Sequence, residues 1–130
     1  MTWRSSMSGP DTDLEISVEA LAAAMKTDAS RVTIVDVRNG PEHAFARLPG
    51  SIHVPLEDIA SRVSNLEIPE GNLVAVLCHH GRRSIPGALA LREAGWVAAK
   101  SIAGGIERWS LVVDPKVPRY KRDGLRVWPA

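Results

Sequence analysis

A chain of 130 residues, 45% hydrophobic and 24% charged, holds enough apolar material for one packed domain and little for a second. Sixteen basic against fifteen acidic side chains leave +1, which gives no bulk attraction to nucleic acid, and a 5% aromatic content offers few stacking platforms for single strands. One cysteine, Cys78, excludes an internal disulfide and any multi-cysteine zinc site. No apolar run reaches membrane-spanning length, so no membrane partner is expected. A free thiol without an export-signal core points to the cytoplasm.

Residues 1–13 are polar and rich in small side chains, and are expected to be disordered. Leu14 to Ile16 predicts a short strand, and Ser17 caps a helix through Met25 with Val18, Leu21, Ala22 and Met25 on one face. Arg31 to Val37 is β-branched and nearly continuously apolar, the pattern of a strand buried on both faces. After Asn39-Gly40-Pro41, a short helix fits Glu42 to Arg47. A second short strand fits Ser51 to Val54, and a helix fits Leu56 to Leu66. Leu73 to Leu77 reads as another buried strand. Ser84 to Ala94 reads as a helix stopped by Gly95, and Trp96 to Ile102 as a further strand. A last helix runs from Ile106 towards Leu111, and residues 115–130, with three prolines, read as an irregular surface tail. Strands alternating with helices predict an α/β domain around a mainly parallel sheet.

The chemistry concentrates in Leu77-Cys78-His79-His80-Gly81-Arg82-Arg83-Ser84, a loop between a buried strand and a helix. The carboxyl end of such a strand is where open α/β sheets bind ligands. A thiol there faces the unpaired N–H groups of a helix start. Gly81 lets the loop close into an anion-binding nest, while Arg82, Arg83, His79 and His80 add positive charge. All of these favour thiolate and mark Cys78 as a nucleophile, with His79 to Ser84 holding an anionic substrate or intermediate. The unadorned alternative is a small hydrophobe ending a strand, but the cationic, glycine-containing sequence that follows does not fit that role.

Three other chemistries fit poorly. Adjacent Cys-His-His side chains rarely turn to one metal ion, so no metal or other cofactor is expected. A Cys-x5-Arg phosphatase loop needs arginine where Ser84 stands, since Arg83 comes one position early. Thiol–disulfide exchange needs a resolving cysteine. One thiolate in a cationic cradle is sufficient to carry sulfur as a persulfide.

The six-residue loop Cys78 to Arg83 resembles the active-site loop of the rhodanese (sulfurtransferase) family. Val35-Asp36-Val37-Arg38 with Glu42, then Pro49 to Ile52 and Pro55, is similar to that family's first signature. Gly95-Trp96 with Ile102 to Ile106 and Trp109 is similar to its second, and Val113 to Tyr120 to the ending of small single-domain members. The likeness implies one doubly wound rhodanese-like domain over 14–120, followed by a tail over 121–130. It implies Cys78 as the persulfide-forming nucleophile, with thiosulfate or a protein persulfide as donor and cyanide or a thiol as acceptor. A protein-to-protein sulfur relay with little thiosulfate activity, and a non-catalytic binding module, are the alternatives; retention of Cys78, Gly81 and Arg83 argues against the second.

Supporting positions are assigned from the same signatures. Arg38 and Glu42, four apart, are expected to brace the turn after the second strand, and Asp36 to hold the loop or cap the turn. Gly104-Gly105 lacks a dinucleotide-binding spacing and reads as a tight turn. Ala46-Arg47-Leu48 and His43 depart from the family pattern, which bears on local packing. If His79 touches the donor, thiosulfate affinity falls as pH rises through its titration range. In the relay reading the loop, with Lys116, Arg119, Lys121, Arg122 and Arg126, forms one basic face for an acidic partner.

Overall fold

The structure is a computed structural model and describes residues 14–130; the segment expected to be disordered lies outside the described residues. Five strands, β1 (Glu15–Ile16), β2 (Val32–Asp36), β3 (Ile52–His53), β4 (Leu73–Leu77) and β5 (Lys100–Ile102), form one parallel sheet in the order β1-β5-β4-β2-β3. The central pair is in register from Val32 opposite Leu73 to Asp36 opposite Leu77.

Alternation along the strands builds two cores, one per face. Ile34, Ala75, Leu77 and Ile102 pack with α1 (Val18–Asp28) through Val18 and Leu21, and with α5 (Gly105–Val112) through Ile106 and Trp109. Val35, Val74 and Val76 pack on the other face with Ile59 of α3 (Ile59–Arg62) and with Ala88 and Leu91 of α4 (Ser84–Glu93). Helices on both faces make the sheet doubly wound. After β2 the chain passes through α2 (Gly40–Phe45), whose end puts Phe45 and Ala46 on the first core, whereas after β4 it enters α4 on the second. The connections leaving these neighbouring strands therefore diverge to opposite faces. Their carboxyl ends form the crevice where α/β sheets take ligands.

Several elements differ from expectation. The Leu56–Leu66 segment is one α-helical turn flanked by 3-10 turns at Leu56–Asp58 and Val63–Asn65, because β-branched and short polar residues dilute its helix formers. Trp96 is not in a strand. It completes the helix stop, its N–H bonding Leu91 O at 2.9 Å while Gly95 N–H bonds Arg92 O at 3.1 Å, so β5 begins only at Lys100.

The tail is also ordered. β6 (Tyr120–Asp123) and β7 (Arg126–Pro129) pair antiparallel around Gly124-Leu125, with Gly124 at φ +62 as a two-residue hairpin turn requires. No helix among the described residues is long and apolar enough to cross a membrane.

Candidate active site

Cys78 follows β4 directly and is 1% exposed. Its Sγ accepts the backbone N–H of Gly81 at 3.1 Å and that of Ser84, the first residue of α4, at 3.3 Å; the Ser84 hydroxyl stands 3.3 Å away. The expected nest of N–H groups is thus present, and it is built from helix-start geometry. Gly81 makes it possible. It sits at φ +88, and a Cβ there would come within 2.7 Å of Gly104 N. The opposite side of the loop is held by the start of α5, where Ile106 N–H bonds Cys78 O at 2.9 Å and Glu107 N–H bonds His79 O at 3.1 Å.

The cations are arranged differently from the sequence expectation. Arg83 is gripped in a two-pronged pair by Glu42, Nη1 to Oε1 at 2.7 Å and Nη2 to Oε2 at 2.8 Å. Glu42 is fully buried, and its Oε2 also accepts the Tyr120 hydroxyl at 2.6 Å. Burial alone would raise the Glu42 carboxyl, but the Arg83 fork and the Tyr120 hydroxyl outweigh it and hold the group at about 2. Burial, with the Glu42 charge beside it, pushes the Tyr120 phenol above its ordinary value, so it remains a donor.

Arg38 is fully buried and meets Glu42 at its backbone carbonyl, not at its carboxylate. Its Nε and Nη2 bond Asp36 at 2.9 and 2.7 Å, Nη2 also bonds Ala46 O at 2.6 Å, and Nη1 reaches Glu42 O and Tyr120 Oη. Burial opposes ionisation of Asp36, but Arg38 and His43 hold its carboxyl below the usual range. Asp36 and Arg38 therefore form a buried frame under α2, one step removed from the loop. Glu42 is the residue that connects this frame to the loop. The sequence marks it as the fourth residue of an Asn39-x-x-Glu42 capping box, which the structure contains, but nothing local signals that its carboxylate reaches Arg83.

His79 is 6% exposed, with its ring stacked on Tyr120 at 4.0 Å and Nε2 donating to Tyr120 O at 3.1 Å. Burial, reinforced by neighbouring His80, lowers it to about 4, so its ring is neutral near pH 7. The thiosulfate pH dependence expected from a charged His79 loses its basis there. His79 instead couples stability to acid. Its value falls from 6.5 unfolded to about 4 folded, so its contribution is complete above pH ~6.5 and lost as pH drops towards 4, about 3 kcal/mol in all. Urea unfolding midpoints between pH 7 and 4 should fall more steeply in wild type than in His79→Phe, which keeps the stack without the titration.

His80 and Arg82 are exposed. His79 and His80 border a cleft of about 720 Å³ whose other wall is the hairpin, through Tyr120, Lys121, Arg122 and Trp128. The expected single basic face is only partly assembled. Arg119 pairs with Glu107 at 2.6 Å, Arg126 lies over the Trp128 ring, and Arg122 Nε is 3.6 Å from Glu42.

A sequence model of the Rhodanese-like domain matches residues 17–111. The chain belongs to the rhodanese-like family. It is 32% identical over 96 residues to a putative sulfur carrier protein, YrkF, of Bacillus subtilis, covering 74% of this chain and 50% of that one. It is 29% identical over 110 residues to the adenylyltransferase and sulfurtransferase uba4 of Ogataea parapolymorpha, covering 85% of this chain and 27% of that protein. The chain thus spans half or less of these curated relatives. Among solved structures, the human single-domain sulfurtransferase TSTD1 superposes with a TM-score of 0.68 at 22% identity, covering 76% of this chain and 96% of that one, a likeness of fold. The rhodanese-like match ends at Leu111, so the hairpin that carries Tyr120 lies beyond it.

Proposed function

We propose that this rhodanese-like domain transfers sulfane sulfur through a persulfide on Cys78. The observation that carries the reading is a sulfur enclosed by the Gly81 and Ser84 N–H groups at 3.1 and 3.3 Å, an environment suited to a sulfur that is repeatedly anionic. The Cys78 thiolate attacks the outer sulfur of a donor. An S–S bond forms as the donor's own bond breaks, and the leaving group departs with the electron pair. An acceptor thiol or cyanide then attacks the outer persulfide sulfur, and Cys78 is released as thiolate. His80, Arg82 and Arg83 surround the loop and Ser84 faces the sulfur; Asp36 and Arg38 support it from beneath α2. Incubation with a sulfane donor should add one sulfur mass to the intact chain, and Cys78→Ala should abolish the adduct. No adduct from thiosulfate, a small persulfide or a protein persulfide would overturn the reading.

The electrostatics favour a persulfide donor over thiosulfate. Glu42 neutralises Arg83 and His79 is uncharged, which leaves the sulfonate of thiosulfate with backbone dipoles and the exposed His80 and Arg82 as partners. The sulfur-carrier name of one relative accords with a relay role. Turnover with a protein persulfide should exceed that with thiosulfate at equal concentration; the reverse would favour thiosulfate as the donor.

A further inference from the structure

Behind the sulfur lies a hydroxyl that no sequence motif marks. Ser101, in β5, is fully buried, and its Oγ is 2.7 Å from Ser84 Oγ, which in turn is 3.3 Å from Cys78 Sγ. Ser84 is equally buried, so the row sulfur–oxygen–oxygen is shielded from water along its length.

The protons of this row can be counted. Two contacts join three atoms. With the sulfur ionised, the two hydroxyl protons fill both contacts, as Ser101 donates to Ser84 and Ser84 donates to the sulfur. With the sulfur protonated, its S–H donates to Ser84 Oγ and Ser84 donates to Ser101, so the Ser101 proton finds no acceptor within the row. A buried polar hydrogen without a partner is unfavourable, so within the row every proton has an acceptor only when the sulfur has lost its own.

We infer that Ser101 is a positioning residue that acts through Ser84. By donating to Ser84 Oγ it leaves the Ser84 proton aimed at the sulfur and biases Cys78 towards thiolate. Its use in turnover rests on the persulfide reading. When the acceptor bonds the outer sulfur and the S–S bond breaks, the electron pair goes to Cys78 Sγ, and the leaving thiolate meets a proton donor already oriented towards it. The other titratable or charged groups around the sulfur are His79, His80, Arg82 and Arg83 of the loop, Glu42 on α2, Glu107 on α5, Tyr120 on β6, and the Asp36–Arg38 pair beyond them. The hydrogen bond of Ser101 goes to none of them, so its substitution leaves them in place.

The test is a pH titration of thiolate absorbance in the full chain, taken as the difference from Cys78→Ala. On the rising limb Ser101→Ala should hold about threefold less thiolate than wild type, the scale of one neutral hydrogen bond. Ser101→Thr, which keeps the hydroxyl, should restore the wild-type curve. In a Ser84→Ala background Ser101→Ala should change nothing further, because the link through which it acts is gone. Superimposable wild-type and Ser101→Ala curves, even alongside a lowered Tm, would reduce Ser101 to packing and overturn the proposal. An undiminished Ser101 effect without Ser84 would overturn it too. The titration needs no sulfur donor. Failure of every donor to load Cys78 would therefore remove the persulfide reading while the row is still judged on its own curve.

Discussion

Glu42→Gln is expected to destabilise the domain by about 3 kcal/mol near neutral pH, because it removes the charge that holds Arg83 while retaining shape. Glutamine at the third helical position still completes the Asn39 capping box, so the start of α2 is preserved and the loss isolates the ion pair. The pH dependence follows from linkage. A carboxyl held at about 2 against 4.5 unfolded stabilises fully above pH ~4.5, and that contribution disappears as pH falls towards 2. Wild type and Glu42→Gln should therefore diverge at pH 7 and converge in acid when unfolding is followed in urea. A gap that stays constant down to pH ~2.5 would show that the ionised pair is not its source. Persulfide formation on Cys78 should slow by about tenfold in the variant, since Arg83 loses its two-pronged anchor and the loop its fixed edge.

Gly105→Ala should be more damaging to transfer. Gly105 sits at φ +62, and a Cβ there would lie 2.5 Å from both Cys78 O and His79 O and 2.6 Å from the His79 carbonyl carbon. These are backbone atoms of the reactive loop, so relief requires moving the loop itself. A cost of about 4 kcal/mol and a loss of ~100-fold in sulfur transfer are expected. Gly124→Ala provides the internal control. Gly124 has the same φ of +62 but no atom within 4 Å of the added Cβ, so it should lose only ~1 kcal/mol, the left-handed conformational cost, and transfer normally. Equal losses in the two variants would mean that backbone conformation, rather than the close approach of α5 to the loop, sets the requirement at 105.

The sequence patterns that proved reliable are those in which a residue acts on its own neighbourhood. The apolar runs at 32–36 and 73–77 are buried strands, Ser17 caps α1, and the six-residue spacing after Cys78 delivers its N–H groups to the sulfur. Gly104-Gly105 is indeed a tight turn, but its deeper reason, contact with the loop backbone, is invisible without the fold. The loop carries less positive charge than its residue types alone predict, because long-range contacts cancel it. Arg83 meets its counter-ion 41 positions upstream, and His79 loses its proton to burial against Tyr120, 41 positions downstream. The four-residue spacing of Arg38 and Glu42 shows that both serve the turn after β2, but not that the carboxylate facing Arg38 belongs to Asp36 while Glu42 offers it a backbone carbonyl. The hairpin had a local signal, Asp123-Gly124, that the prolines at 115, 118 and 129 obscured; Pro129 is tolerated at the open side of a two-stranded ribbon.

Tyr120 binds Glu42 across 78 residues and lies beyond all five strands of the parallel sheet. Along the chain, the five strands and the cysteine loop precede the phenol that locks Glu42, stacks on His79 and completes the first core. The parallel sheet thus draws no strand from this segment, whereas the edge that carries the cysteine loop depends on it. The hairpin thus acts as a strap, tying through Tyr120 the imidazole of the cysteine loop to a carboxylate from a distant part of the chain.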